Sequence, residues 1–146
     1  KLPSSFYLLS AQARESLQRE TVEAGSTAGF AVRVGNQACG EFLVQSLVMR
    51  ETLFSLFQAS GANWESAGVF IGALKNSRPV LSFRIASDLG NETAFRDFRR
   101  NVRPKSRELY RYLQVLLELG WFDRFWEHWM AVDAKLRDKL AESVLP

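Results

Sequence analysis

The sequence predicts an all-α fold in one domain spanning residues 1–146. Apolar residues recur at helical spacing near the start of the chain and through its C-terminal half. Glycine and proline fall between those stretches, where helices end. A chain of 146 residues, 47% hydrophobic and 24% charged, buries enough surface for one core, and no linker divides it.

Taken in order, Ser4 or Ser5 can cap a first helix over residues 6–22. Phe6, Leu9, Ala13 and Leu17 share one of its faces, and Ala24-Gly25-Ser26 is the expected stop. In residues 29–35, Phe30, Val32 and Val34 alternate like a short strand, although the same residues could open a helix. Residues 37–58 place Phe42, Leu43, Leu47, Phe54 and Phe57 at helical spacing, with Arg50 and Glu51 on the other side. Ser60-Gly61 punctuates, and Asn63 stands where it can cap the next element.

Residues 67–75 are apolar and include Gly68 and Gly72, residues 76–79 are a turn signal, and Leu81, Phe83 and Ile85 then alternate. Read locally, residues 67–86 form a β-hairpin, which would make the fold α+β with that hairpin packed on helices. Read globally, the stretch is a buried helix broken near Pro79. Both readings stand. Further on, Asn91 caps a short helix carrying Phe95 and Phe98 and closed by Pro104. A helix over residues 106–119 follows, with Leu109, Tyr112, Leu113, Leu116 and Leu117 as its stripe, ended by Gly120. The last helix, residues 121–144, aligns Phe122, Phe125, Trp126, Trp129, Leu136 and Leu140.

Composition narrows the function. With one cysteine, Cys39, no internal disulfide framework or multi-cysteine zinc site is expected, and Cys39 reads as a small buried apolar residue. The single histidine, His128, rules out a two-histidine metal site. No run of about 18 uncharged apolar residues is present. The expected setting is intracellular: the cytoplasm, or an organelle membrane if an anchor has been removed, since none stands in this chain.

Motifs for catalysis are missing: no G-x-S-x-G elbow, no G-x-x-x-x-G-K phosphate loop and no G-x-G-x-x-G. Asp123, Glu127 and His128 share a short stretch, but they read as a solvated helix face. The expectation is therefore a protein that is not an enzyme and needs neither cofactor nor metal. Trp126 and Trp129 are the expected contacts of a homodimer, if one forms.

Charge is uneven. The net charge is only +3, yet residues 96–111 hold Arg96, Arg99, Arg100, Arg103, Lys105, Arg107 and Arg111 against only Asp97 and Glu108. Interleaved with Phe95, Phe98, Tyr110 and Tyr112, these seven would suit phosphate pairing and base stacking, so nucleic acid, RNA in particular, is the alternative partner. A solvated helix face is the plainer reading of the same stretch.

Two tryptophan-centred segments carry a family resemblance. Ser55-Leu-Phe-Gln-Ala-Ser-Gly-Ala-Asn-Trp64, with the apolar residues from Ala67 onward, resembles the first homology region of the Bcl family of apoptosis regulators. Gly120-Trp-Phe-Asp-Arg-Phe-Trp-Glu127 resembles the second, and Ala31-Val-Arg-Val-Gly-Asn36 resembles the third, with Asn36 where aspartate is usual. The three stand in the family's order and span most of the chain. Departures are Glu65-Ser66 where the family has Gly-Arg, the short interval between Asn36 and Asn63, and Pro79 within the central helix. A divergent, viral member would fit them.

The resemblance implies a helical bundle around a central hydrophobic helix. It also implies an apoptosis regulator that binds amphipathic pro-apoptotic helices in a hydrophobic groove. Its groove residues would be Phe42, Leu43, Leu47, Met49, Phe54, Phe57, Val69 and Phe70, with Asn63 touching the partner. Arg84, or an arginine of the basic stretch, would replace the family's absent arginine, while Trp64 and Trp121 would pack the bundle.

Overall fold

A computed structural model describes residues 8–40, 43–132, 134 and 136. Its first helix, α1 (Ala11–Ala28), begins where the Ser10 hydroxyl accepts from the Ala13 amide at 3.2 Å. It runs past the expected stop and ends at Gly29, whose φ of 87° is the left-handed conformation glycine adopts without steric cost. There the Gly29 amide donates to the Ser26 carbonyl and the Phe30 amide to the Gly25 carbonyl, which together satisfy the last turn. Gly25 makes room for the chain that folds back after this turn, since a Cβ on it would collide with the Val32 side chain.

The C-terminal half completes a three-helix core. Helix α4 (Ala94–Glu118) is one helix of 25 residues, where the sequence predicts a break at Pro104. Pro104 lies on the exposed side, so solvent can replace the hydrogen bond that the proline removes. Gly120, at φ 67°, turns the chain into α5 (Trp121–Met130). Leu9, Leu17 and Ala24, then Tyr112 and Leu116, then Trp121, Phe125 and Trp129 form the buried cluster. Most of these are positions that helical spacing singles out. The Trp121 indole donates to the Leu17 carbonyl at 3.1 Å, and Arg124 reaches Glu20 at 2.6 Å, tying α5 to α1. Of the last expected helix, Leu136 is exposed and Leu140 lies outside the described residues.

Between these helices the chain is not purely α. Strands β1 (Asn36–Cys39) and β2 (Ala59–Asn63) pair in parallel, joined by α2 (Leu47–Phe57) as the crossover. The helix expected over residues 37–58 is thus confined to its second half, where the Ser46 hydroxyl accepts from Met49 at 3.1 Å. Helix α3 (Ser66–Lys75) follows, capped by Asn63, whose side-chain oxygen accepts from Ser66 at 2.8 Å.

The hairpin alternative at 67–86 fails because α3 occupies its first half and residues 78–86 run as irregular chain. The other expectation also changes. Helix α3 is peripheral, with only Ser66 and Leu74 buried, so it is not the central helix of a bundle. The fold is mostly helical with a small two-stranded parallel sheet.

Candidate functional site: an apolar groove between two layers

Helix α2 packs chiefly on the two strands rather than on the three-helix core. The layers meet instead through two irregular segments, 30–35 and 81–86, and between them lies a groove of about 900 Å³. Thr21, Leu109, Tyr112 and Trp121 contribute from the core side. Leu53, Leu56 and Phe57 of α2 and Phe70 of α3 stand on the opposite wall, with Ala38 and Cys39 of β1 between them. Phe30, Val32, Leu81, Phe83 and Ile85 line the groove where the two segments cross it.

Aromatic packing holds the floor. Phe83 meets Trp121 edge-on at 5.8 Å and Phe122 at 6.0 Å, while Phe30 meets Tyr112 at 5.5 Å. The Tyr112 hydroxyl donates to the Thr21 carbonyl at 3.2 Å, and burial pushes its pKa up to about 12, so the ring stays neutral at any physiological pH.

Polar groups gather at one rim. The Gln37 side-chain oxygen accepts from Asn63 at 3.1 Å and from the Ser82 hydroxyl at 3.2 Å. Arg84 donates to Ser82 at 3.1 Å and pairs with Glu65 at 3.5 Å. This chain of bonds fixes Arg84 beside the groove, against Glu65.

Of the residues expected to hold a partner helix, Phe57, Phe70 and Arg84 line the groove. Leu43, Leu47, Met49, Phe54 and Val69 are described but stand outside its lining, and Phe42 lies outside the described residues. Asn63 also stands outside it, engaged as the α3 cap. Trp121 is buried as expected, whereas Trp64 is half exposed and packs no bundle. Cys39 is exposed rather than buried, accepting from the Ala67 amide at 3.3 Å. Trp129 is buried, so of the two tryptophans expected in a dimer contact only Trp126 is open to one.

Leu53, Leu56, Phe30, Val32 and Phe83 line the groove although the sequence does not mark them as site residues. A partial signal exists: the alternation of Phe30 with Val32 and of Leu81 with Phe83 marks chain with one apolar side. That side faces the groove and not a sheet partner.

The basic stretch lies elsewhere. Arg96, Arg99, Arg100, Arg103, Arg107 and Arg111 are exposed along α4, while Lys105 turns away to bind Glu108 at 2.7 Å. Among the described residues no cluster of three or more potential metal ligands occurs, and no helix is long and apolar enough to cross a membrane. Comparison with family models, curated protein sequences and solved structures returns no match for this chain.

Proposed function

We propose that this protein is a binding protein that takes an amphipathic helix of another protein into the groove, and that it serves in the regulation of cell death. The groove itself carries the first part. At about 900 Å³ it is at the upper end of small-molecule sites, and the apolar surface continues beyond it. Helix α2 buries none of its side chains, and Leu47, Val48, Phe54, Leu56 and Phe57 remain exposed along its 11 residues. An extended apolar surface of this kind suits a macromolecular partner better than a compact ligand.

The residues at the site suggest how such a helix would be read. Phe57, Phe70, Phe83 and Val32 supply apolar contacts for anchors at helical spacing, and Arg84 at the rim offers a charge to an acidic residue of the partner. Competition with Glu65 for Arg84 would tune that contact. The setting in cell death rests on the Bcl resemblance of residues 55–64 and 120–127.

Titration with labelled pro-apoptotic helical peptides tests the reading. Binding with a dissociation constant in the micromolar range or below is expected. Phe70→Asp, at a half-buried position, should weaken it at least tenfold, or about 1.4 kcal/mol. No binding by any of several such peptides would sink the assignment to cell death. Binding unaffected by Phe70→Asp would remove the groove from it.

A further inference from the structure

Helix α4 has two opposite faces, and only one belongs to the core. Ala94, Tyr112 and Leu116 point inward, and Leu109 lies beside them. On a repeat of 3.6 residues per turn, Arg96, Arg99, Arg100, Arg103, Arg107 and Arg111 all fall within about 120° on the far side. They cover about 22 Å of helix at 1.5 Å per residue. No carboxylate interrupts this arc between Arg96 and Arg111. Arg96 leans on Asp97 at 3.7 Å, but among the described residues no ion pair engages the other five.

An ordinary solvated face mixes signs, because like charges one turn apart repel. Here six guanidinium groups stand in line, and among the described residues only Arg96 has a carboxylate beside it. The remaining chain carries 13 basic against 16 acidic residues and is net acidic, so the positive field is local to this ridge.

We infer that the outer face of α4 binds the phosphate backbone of a nucleic acid, independently of sequence and apart from the groove. Three observations favour this over other polyanions. All six cations are arginine, whose planar fork matches phosphate oxygens in pairs. A strand of duplex presents a phosphate about every 3.4 Å of axis, so about 22 Å of ridge meets about six. Aromatic rings are interleaved: Tyr110 is exposed between Arg107 and Arg111, and the Arg99 guanidinium lies 5.2 Å from the centre of the exposed Phe95 ring. Exposed rings beside phosphate-binding cations offer bases a stacking surface. A membrane-surface helix would instead need a broad apolar face toward the lipid, and that face of α4 is spent on the core.

Fluorescence anisotropy of labelled oligonucleotides of about 20 residues, RNA and DNA, single- and double-stranded, tests the inference with the whole chain. Binding is expected at low salt, weakening steeply as salt rises, with a log–log slope of about −3 to −5 for four to six phosphate contacts. The triple variant R99A/R103A/R107A should bind at least tenfold more weakly and show a shallower slope. A charge-matched variant at exposed sites elsewhere, R19A/K75A/R78A, should lose much less. Circular dichroism melting of both confirms that these surface changes leave the fold intact.

Failure of every oligonucleotide to bind at low salt would overturn the inference. So would equal losses in the two triple variants, which would reduce the effect to net charge. Vesicles rich in phosphatidylserine serve as the third arm. If they bind through the same arginines while oligonucleotides do not, the ridge is a membrane contact and the inference is wrong. The groove variant Phe70→Asp is expected to leave oligonucleotide binding unchanged, which keeps this result separate from the fate of the groove reading.

Discussion

Tyr112 joins the core to the groove, and its hydroxyl is where the chemistry of that junction can be measured. The ring is buried, its oxygen donates to the Thr21 carbonyl, and burial raises its pKa from 10 to about 12. A folded pKa above the unfolded one means that the folded state holds the proton longer. The resulting stability is complete below pH 10 and is lost as pH rises through about 12. Urea unfolding at about pH 9 and about pH 11.5 should show a loss of order 2 kcal/mol in the wild type, beyond that seen in Tyr112→Phe. Parallel pH profiles for the two proteins would show that Tyr112 titrates freely. Other single residues differ in how much the sequence alone discloses. Asn63 can be placed as a cap because capping is local. Gly25 reads as a helix stop because a glycine's need for space beside Val32 exists only once the chain has folded back.

Among the helices of the described residues, α2 alone buries none of its side chains, and it forms one wall of the groove. Its first amide, that of Leu47, donates to the Glu92 carboxylate at 3.3 Å, and Arg50 donates to the Leu89 carbonyl at 3.1 Å. Its own amide and that of Leu47 hold the Glu92 carboxyl below the ordinary value of 4.5. A lowered folded pKa gives support that is present above 4.5 and disappears as pH falls through the folded value. The Leu47 amide resonance should therefore follow a titration with a midpoint below 4.5. Glu92→Gln should abolish that titration and speed hydrogen exchange in α2 while leaving α1, α4 and α5 unchanged. If Leu47 is silent to pH in the wild type, the tether does not operate in solution.

The elements also differ in how far the sequence discloses them. The stripes of α1, α4 and α5 are legible because a long helix repeats its apolar face several times. Strands β1 and β2 are not. Asn36-Gln-Ala-Cys39 and Ala59-Ser-Gly-Ala-Asn63 contain no β-branched or aromatic residue, and their pairing joins segments more than 20 positions apart. Pro104 reads as a break because the cost of proline depends on which side of the helix it occupies, and that side is settled only by packing.

At the scale of the molecule, α4 separates two surfaces of different character. Leu109 and Tyr112 on one side line an apolar groove, while six arginines occupy the opposite side. The two faces do not overlap, so occupation of one leaves the other open. The basic stretch is legible as a run of charge. The groove is not, since its walls come from segments 30–35, 53–57 and 81–86, which only the tertiary fold assembles. Amide chemical-shift mapping during titration with a pro-apoptotic helical peptide decides whether the groove is the binding site. Saturable shifts should concentrate at Val32, Leu53, Phe57, Phe70 and Phe83, with the outer face of α4 unmoved. Shifts confined to α4, or their absence at saturating peptide, would contradict it.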